Sequence, residues 1–344
     1  MDGRKGVYSF RKALFNTIKI MKNKSIYKIL LLTSLVGFTL QSCAQDKKSQ
    51  KLDISQMEKE IIQKEFGHSY RLKYEHNNCS YEILINDVPL ITFYGLGERS
   101  TTAYINQYML KPGKQEITIR MYPKKTDDTK FNETLDSTSF VKLKLDKIKM
   151  GSQEWEFSKE GKARDWEEVL VYQTPKLEKD VPFAEFKIPF EASKQELTWE
   201  IKGWSESQAL VNNEALKKEV FDFYKNFQQV IENQDKNAYM NLLAHSIFEE
   251  ASADSWESKA FIKDAMEELA NKPIAKQKFL FPINENTAEL KFYGNGRVVT
   301  LVSKDPRSFG YSPLVAKGEK SNFPIAYTFY LHKPKGSNKL EIIR

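Results

Sequence analysis

Cysteine is nearly missing from this chain of 344 residues, which has two, Cys43 and Cys79, and only four histidines. A disulfide framework is excluded, because Cys43 has another use (below) and Cys79 is then alone. Cys79 sits in a strand-like run beside Tyr81 and Ile83, which suits a buried structural thiol. His68, His76, His245 and His332 are scattered, with no His-x-x-x-His and no paired cysteines, so no metal ligand set is recognisable. His68 and His76 would lie ~26 Å apart along a strand, too far to share one ion. Gly95 and Gly97 stand without the rest of a phosphate-loop fingerprint. No G-x-S-x-G elbow occurs. No cofactor is implied.

An excess of one charge is also missing from most of the chain. The net charge of +7 misleads. Residues 1–42 hold eight basic side chains and one acid, which leaves 45 of each sign in 43–344. Nucleic-acid binding needs a cationic surplus to displace counterions, so it is not expected. What is abundant is apolar and aromatic material, 40% and 12% of residues, which excludes a disordered chain. The length suggests two domains.

The N-terminus carries an address. Lys22, Lys24 and Lys28 precede the apolar run Ile29–Leu40. As a helix that run rises roughly 18 Å, short of the ~30 Å bilayer core, so it reads as a secretory signal and not a span. Leu40-Gln41-Ser42-Cys43 follows and resembles the lipobox of bacterial lipoproteins. The resemblance implies that residues 1–42 are a signal peptide, that Met21 is the better start, and that Cys43 receives the lipid. A membrane partner through an N-terminal lipid anchor follows. Residues 43–66 then form a polar tether with a short helix over 53–65, where Ile54, Met57, Ile61 and Ile62 have helical spacing. In that family Ala44 behind the cysteine favours the outer membrane, and the single Asp46 favours a periplasm-facing position over surface export.

From Tyr70 to about Lys202 the apolar period is two. Tyr81, Ile83 and Ile85, then Ile117, Ile119 and Met121, then Val141, Leu143 and Leu145 alternate with polar residues. Trp166–Tyr172 and Leu197, Trp199 and Ile201 repeat the theme. Turn signals at Asn86-Asp87-Val88-Pro89 and Pro112-Gly113 separate the runs. Short half-buried strands of this kind predict an antiparallel β-sandwich over 67–205. Asn106, Leu110, Gly113, Ile117 and Ile119 are spaced in a way that resembles accessory sandwich domains of secreted proteins. Trp155, Trp166, Tyr172 and Trp199 suit core positions better than a sugar platform.

Near residue 210 the period changes to that of a helix. Leu216, Val220, Phe223, Phe227 and Val230 form one stripe. Asp235 caps a second helix with Tyr239, Leu242, Leu243 and Ile247. Asp254 or Ser255 opens a third, ended by Asn271 and Pro273. Strands follow, with a hairpin at Gly294-Asn295-Gly296 and a long loop over 304–322. This order predicts an α+β cone over 206–344, three helices on a curved antiparallel sheet. Val220-x-x-Phe223-Tyr224-x-x-Phe227, Asn233-x-Asp235 and Tyr239-x-x-Leu242-Leu243 resemble the nuclear-transport-factor superfamily, which includes ketosteroid isomerase and SnoaL-like enzymes. The overall expectation is thus α+β, a sandwich followed by a cone.

The resemblance does not decide function. The isomerase branch keeps carboxyls inside its cone, whereas the interior parities here are Ala288, Leu290 and Phe292, and Ile325, Tyr327, Phe329 and Leu331. His245 and Asp264 are the pocket candidates. Tyr224, His245, Trp256 and Tyr327 are the expected ligand-binding residues, beneath a lid or docking loop containing Phe309 and Tyr311. Two readings remain. One is an envelope lipoprotein that binds a small apolar or aromatic ligand, a peptide or an envelope protein. The alternative is a lipid-anchored isomerase or hydrolase. The missing interior carboxylate favours the first.

Overall fold

The computed structural model describes residues 8–9, 67–150, 166–253, 267, 270–271, 273–319, 321 and 323–344, without the side chains of 8, 9, 244 and 248. The signal, Cys43, the tether and its helix, Trp155, Trp256, Asp264 and most of the expected third helix lie outside the described residues.

Most ordered elements are strands, in four four-stranded sheets arranged like the blades of a four-bladed β-propeller. The first sheet has the order β5 (Thr101–Tyr104), β2 (His68–Asn77), β7 (Phe140–Lys149), β8 (Glu167–Gln173). The second has the order β4 (Val88–Phe93), β3 (Cys79–Ile85), β6 (Gly113–Pro123), β9 (Ala184–Ala192). All their pairings are antiparallel. Asn86 and Asp87 both have left-handed backbone, φ 50° and 61°, as the tight β3–β4 turn requires. Tyr70, Leu72, Val141, Leu143, Ile83, Ile117 and Ile119 bury in one core between these sheets. Leu197, Trp199 and Ile201 also enter that core, though not as a strand. The Trp199 indole N–H donates to the Met109 carbonyl at 2.9 Å.

Two long helices are described. Helix α1 (Glu214–Glu232) is capped by Asn213, whose side chain accepts from the Leu216 N–H at 2.9 Å. Its buried stripe is Leu216, Val220, Phe221, Tyr224, Phe227 and Ile231. Helix α2 (Lys236–Ala253) starts where the Asp235 carboxylate accepts from the Ala238 N–H at 3.0 Å. The third sheet runs β11 (Ala288–Tyr293), β12 (Val298–Ser303), β15 (Leu331–His332), β16 (Glu341–Ile342). The fourth runs β1 (Tyr8–Ser9), β14 (Ile325–Ala326), β13 (Val315–Gly318), β10 (Gln277–Phe279), with only β1–β14 parallel.

This architecture overturns the expected sandwich followed by an α+β cone, and with it the nuclear-transport-factor-like fold. Alternation of period two locates strands but says nothing of which strands share a sheet. The C-terminal strands divide between two separate sheets instead of forming one curved one. Ala253, Tyr293, Val298 and Ile343, all from the C-terminal half, bury in the core of the first two sheets. The segment 304–322 is not a structureless loop either. It contains β13, and its first part is fastened to the N-terminal half, where the Lys125 ammonium donates to the Pro306 and Arg307 carbonyls at 2.7 and 3.2 Å.

Candidate functional site

Three turns converge on an open pocket of about 420 Å³ lined by Ser205, Glu206, Ser207, Gln208, Arg297 and Lys335. The first turn, 202–208, closes with the Ser205 N–H on the Lys202 carbonyl at 3.0 Å and the Ser207 N–H on the Trp204 carbonyl at 3.2 Å. The second is the β11–β12 hairpin, where Gly294, Asn295 and Gly296 all have positive φ. It presents Arg297, whose Nε donates to the Ser207 carbonyl at 3.1 Å. The third turn follows β15. Gln208 holds it, its side-chain amide donating to the Pro334 carbonyl at 2.9 Å and also to that of Ser337. The three turns are therefore tied together by the Arg297 and Gln208 side chains, each donating to backbone carbonyls.

Behind the floor lies a polar chain, buried except at the partly exposed His245. The Ser207 hydroxyl is 2.6 Å from His332 Nδ1. The His332 ring lies parallel to that of His245, 7° apart in plane and 5.8 Å between centroids. His245 and Glu249 share one face of α2, four residues apart, with Nε2 3.6 Å from Oε1. The other Glu249 oxygen receives Arg344 Nη1 at 3.0 Å, and Oε1 receives the Gly203 N–H at 2.8 Å. Arg344 also donates to the Gln107 carbonyl and places its guanidinium 5.4 Å from the Trp204 ring centre. Burial, helped by His245 and Arg344, lowers the His332 pKa to about 3. The ring is neutral at any ordinary pH.

Chemically, this arrangement favours holding a ligand over cleaving one. A general base works best with a pKa near the operating pH, and His332 is far below it. Arg297 and Lys335 face the pocket with no acidic partner among the described residues, while Glu206 at the rim is offset by Lys202 at 3.8 Å. The surplus is cationic and suits an anionic group.

Of the residues expected from sequence, His245 belongs to this cluster, one ring behind the floor. Tyr224 and Tyr327 are not among the residues that line this pocket. Tyr224 is fully buried, and its hydroxyl accepts from the Leu301 N–H at 3.2 Å. Tyr327 packs on Phe227 with 5.3 Å between ring centres and donates to the Gln277 side chain at 2.7 Å. Trp256 and Cys43 lie outside the described residues. Among the described residues no three His, Cys, Asp or Glu side chains group as metal ligands. Cys79 is buried, which pushes its thiol up to about 12 and makes it inert. Among the described residues no helix is long and apolar enough to cross a membrane.

Sequence reasoning missed Ser207, Arg297, Lys335 and the role of His332. The Gly294-Asn295-Gly296 signal placed the hairpin, but nothing in the pattern brings 202–208 and 333–337 to its side. The chain matches no protein-family model, no curated protein and no solved structure.

Proposed function

We propose that this chain is a lipid-anchored binding module of the bacterial envelope. Cys43 holds it to the outer membrane, facing the periplasm, and the pocket between the three turns takes a carboxylate- or phosphate-bearing ligand. The observation that carries the ligand class is the cationic pair Arg297 and Lys335 at the pocket, on a floor fixed by the bonds of Ser207 and Gln208. A small anion and an acidic side chain of an envelope protein satisfy the same chemistry. The hydrolase or isomerase reading is less well supported, because the Ser207–His332 contact has a base too weak for proton abstraction near neutrality.

Calorimetric titration with inorganic phosphate, a tricarboxylate and a glutamate-rich peptide tests the ligand class and separates the sources. At least one should bind, and Arg297→Ala with Lys335→Ala should weaken it roughly tenfold or more, the worth of a lost charged hydrogen bond. No binding by any of the three, or binding indifferent to both substitutions, defeats the pocket assignment. In parallel, Cys43→Ser should move the protein from the detergent to the aqueous phase. Unchanged partitioning defeats the anchor.

A further inference from the structure

Away from the pocket, one ion pair joins the two halves of the chain. Glu82 of β3 is 1% exposed, and its Oε1 lies 2.6 Å from the Lys291 ammonium of β11. The same oxygen accepts from the Tyr293 hydroxyl at 2.9 Å, and Oε2 accepts from Tyr122 at 3.3 Å. Three rings surround the ammonium, those of Tyr94, Tyr122 and Tyr293, at 5.9, 5.5 and 5.7 Å. Arg120, which lies by the same Tyr293 ring at 5.9 Å, is occupied by Glu185 at 2.8 Å and Asp87 at 3.2 Å. The buried carboxylate and the amine, whose side chain is 27% exposed, thus face one another beside three aromatic rings.

The geometry points to a covalent modification, an isopeptide bond between Lys291 Nζ and the side-chain carboxyl carbon of Glu82. The ammonium passes one proton to the carboxylate, leaving an amine against a carboxylic acid. The amine nitrogen adds to the carboxyl carbon, a carbon–oxygen bond breaks, and the departing hydroxyl leaves with one amine proton as water. No oxidant, reductant or second substrate is consumed. The Tyr293 and Tyr122 hydroxyls already donate to the two carboxyl oxygens, where the negative charge of the tetrahedral intermediate develops. Burial raises both phenol pKa values, so these donors keep their protons.

Free amines and acids do not condense in water. Fixed neighbours behave differently, because well-oriented intramolecular pairs react with effective molarities of roughly 10⁵–10⁸ M. Here the fold supplies the orientation, since β3 and β11 come together only when both halves are in place. The bond would close a loop between residues 209 apart in sequence and make the join between the halves permanent after folding.

Intact-mass spectrometry of the full chain and of Lys291→Arg decides the matter, followed by tryptic mapping. Wild type should be lighter by one water than its processed, lipidated sequence requires and yield a branched peptide joining the segments that contain Glu82 and Lys291. Lys291→Arg keeps the charge but cannot form the amide, and should show the full mass. A wild-type chain of full mass with two unbranched peptides overturns the bond and leaves an ordinary salt bridge. A water loss that persists in Lys291→Arg also overturns it, since a succinimide elsewhere has the same mass. Should Lys291→Arg fail to fold, the presence or absence of the branched wild-type peptide is decisive alone.

Discussion

His332 Nδ1 and Ser207 Oγ lie 2.6 Å apart under the pocket, while His332 Nε2 is buried with no hydrogen-bond partner among the described residues. A protonated ring has no acceptor there, so the native state keeps His332 neutral down to about pH 3. In the unfolded chain histidine titrates near 6.5. Above pH 6.5 neither state binds the proton. Between about 6.5 and 3 the unfolded state binds one that the native state refuses, and stability falls as pH falls. Below about 3 this contribution is fully lost. His76, lowered by burial to about 4, acts in the same direction. Each such histidine should remove about 1.4 kcal/mol per pH unit within its window. Urea unfolding at pH 7.5, 6 and 5 should therefore show a steeper acid loss in wild type than in His332→Gln. Parallel slopes would mean that the ring titrates normally in the fold.

Glu249 and Arg344 form a buried pair, with side chains 3% and 0% exposed. Removing one partner strands the other charge. Arg344→Ala should destabilise by about 3–5 kcal/mol, while replacing both residues with methionine should cost less, because no lone charge is then buried. The double variant leaves the Gly203 N–H without its acceptor, so a residual loss of roughly 1–3 kcal/mol is expected. Chemical denaturation of the three proteins measures both values. A double variant weaker than Arg344→Ala would contradict the assignment.

Tyr224 separates a core residue from a ligand contact. Its hydroxyl meets Thr300 Oγ1 at 3.2 Å, the Leu301 N–H at 3.2 Å and the Phe329 carbonyl at 3.4 Å, all in the packed interior. Tyr224→Phe leaves a buried N–H without its acceptor, at a cost of about 1–3 kcal/mol. Affinity for any pocket ligand should not change. A binding loss equal to that of Arg297→Ala, with stability intact, would return Tyr224 to the site.

These outcomes trace what the sequence could disclose. The Asn86-Asp87 turn, the Asp235 cap and the Gly294–Gly296 hairpin were legible, because each rests on local backbone chemistry. Glu82 was not. Its parity between Tyr81 and Ile83 marks it as outward, yet every residue of β3 is buried, because Tyr94, Tyr293 and Lys291 cover the outer face. Period two reports one covered face and cannot announce the second. The four-sheet arrangement was hidden for the same reason: strand partners are chosen across the chain, by contacts that no local spacing encodes. The pocket depends on three turns meeting, and His332 was visible only as an isolated histidine.

Gly310 tests how firmly the 304–314 segment is held on the N-terminal half. Its backbone is left-handed, φ +74°, and an added Cβ would lie 2.4 Å from Tyr94 Cδ2 and Cε2. The Tyr94 ring cannot retreat easily, since Phe309 stands edge-on at 5.3 Å and Tyr311 at 6.3 Å between ring centres. The Tyr94 N–H also donates to the Tyr311 hydroxyl at 2.9 Å. Gly336 supplies the control, with φ +82° and nothing within 4 Å of the added carbon. Gly336→Ala should lose only the backbone share, about 1–2 kcal/mol. Gly310→Ala should lose that and more, and should open the segment to protease cleavage near Arg307, because the clash lifts it from Tyr94. Equal stability losses and equal cleavage rates in the two variants would show that the Tyr94 contact does not hold the segment.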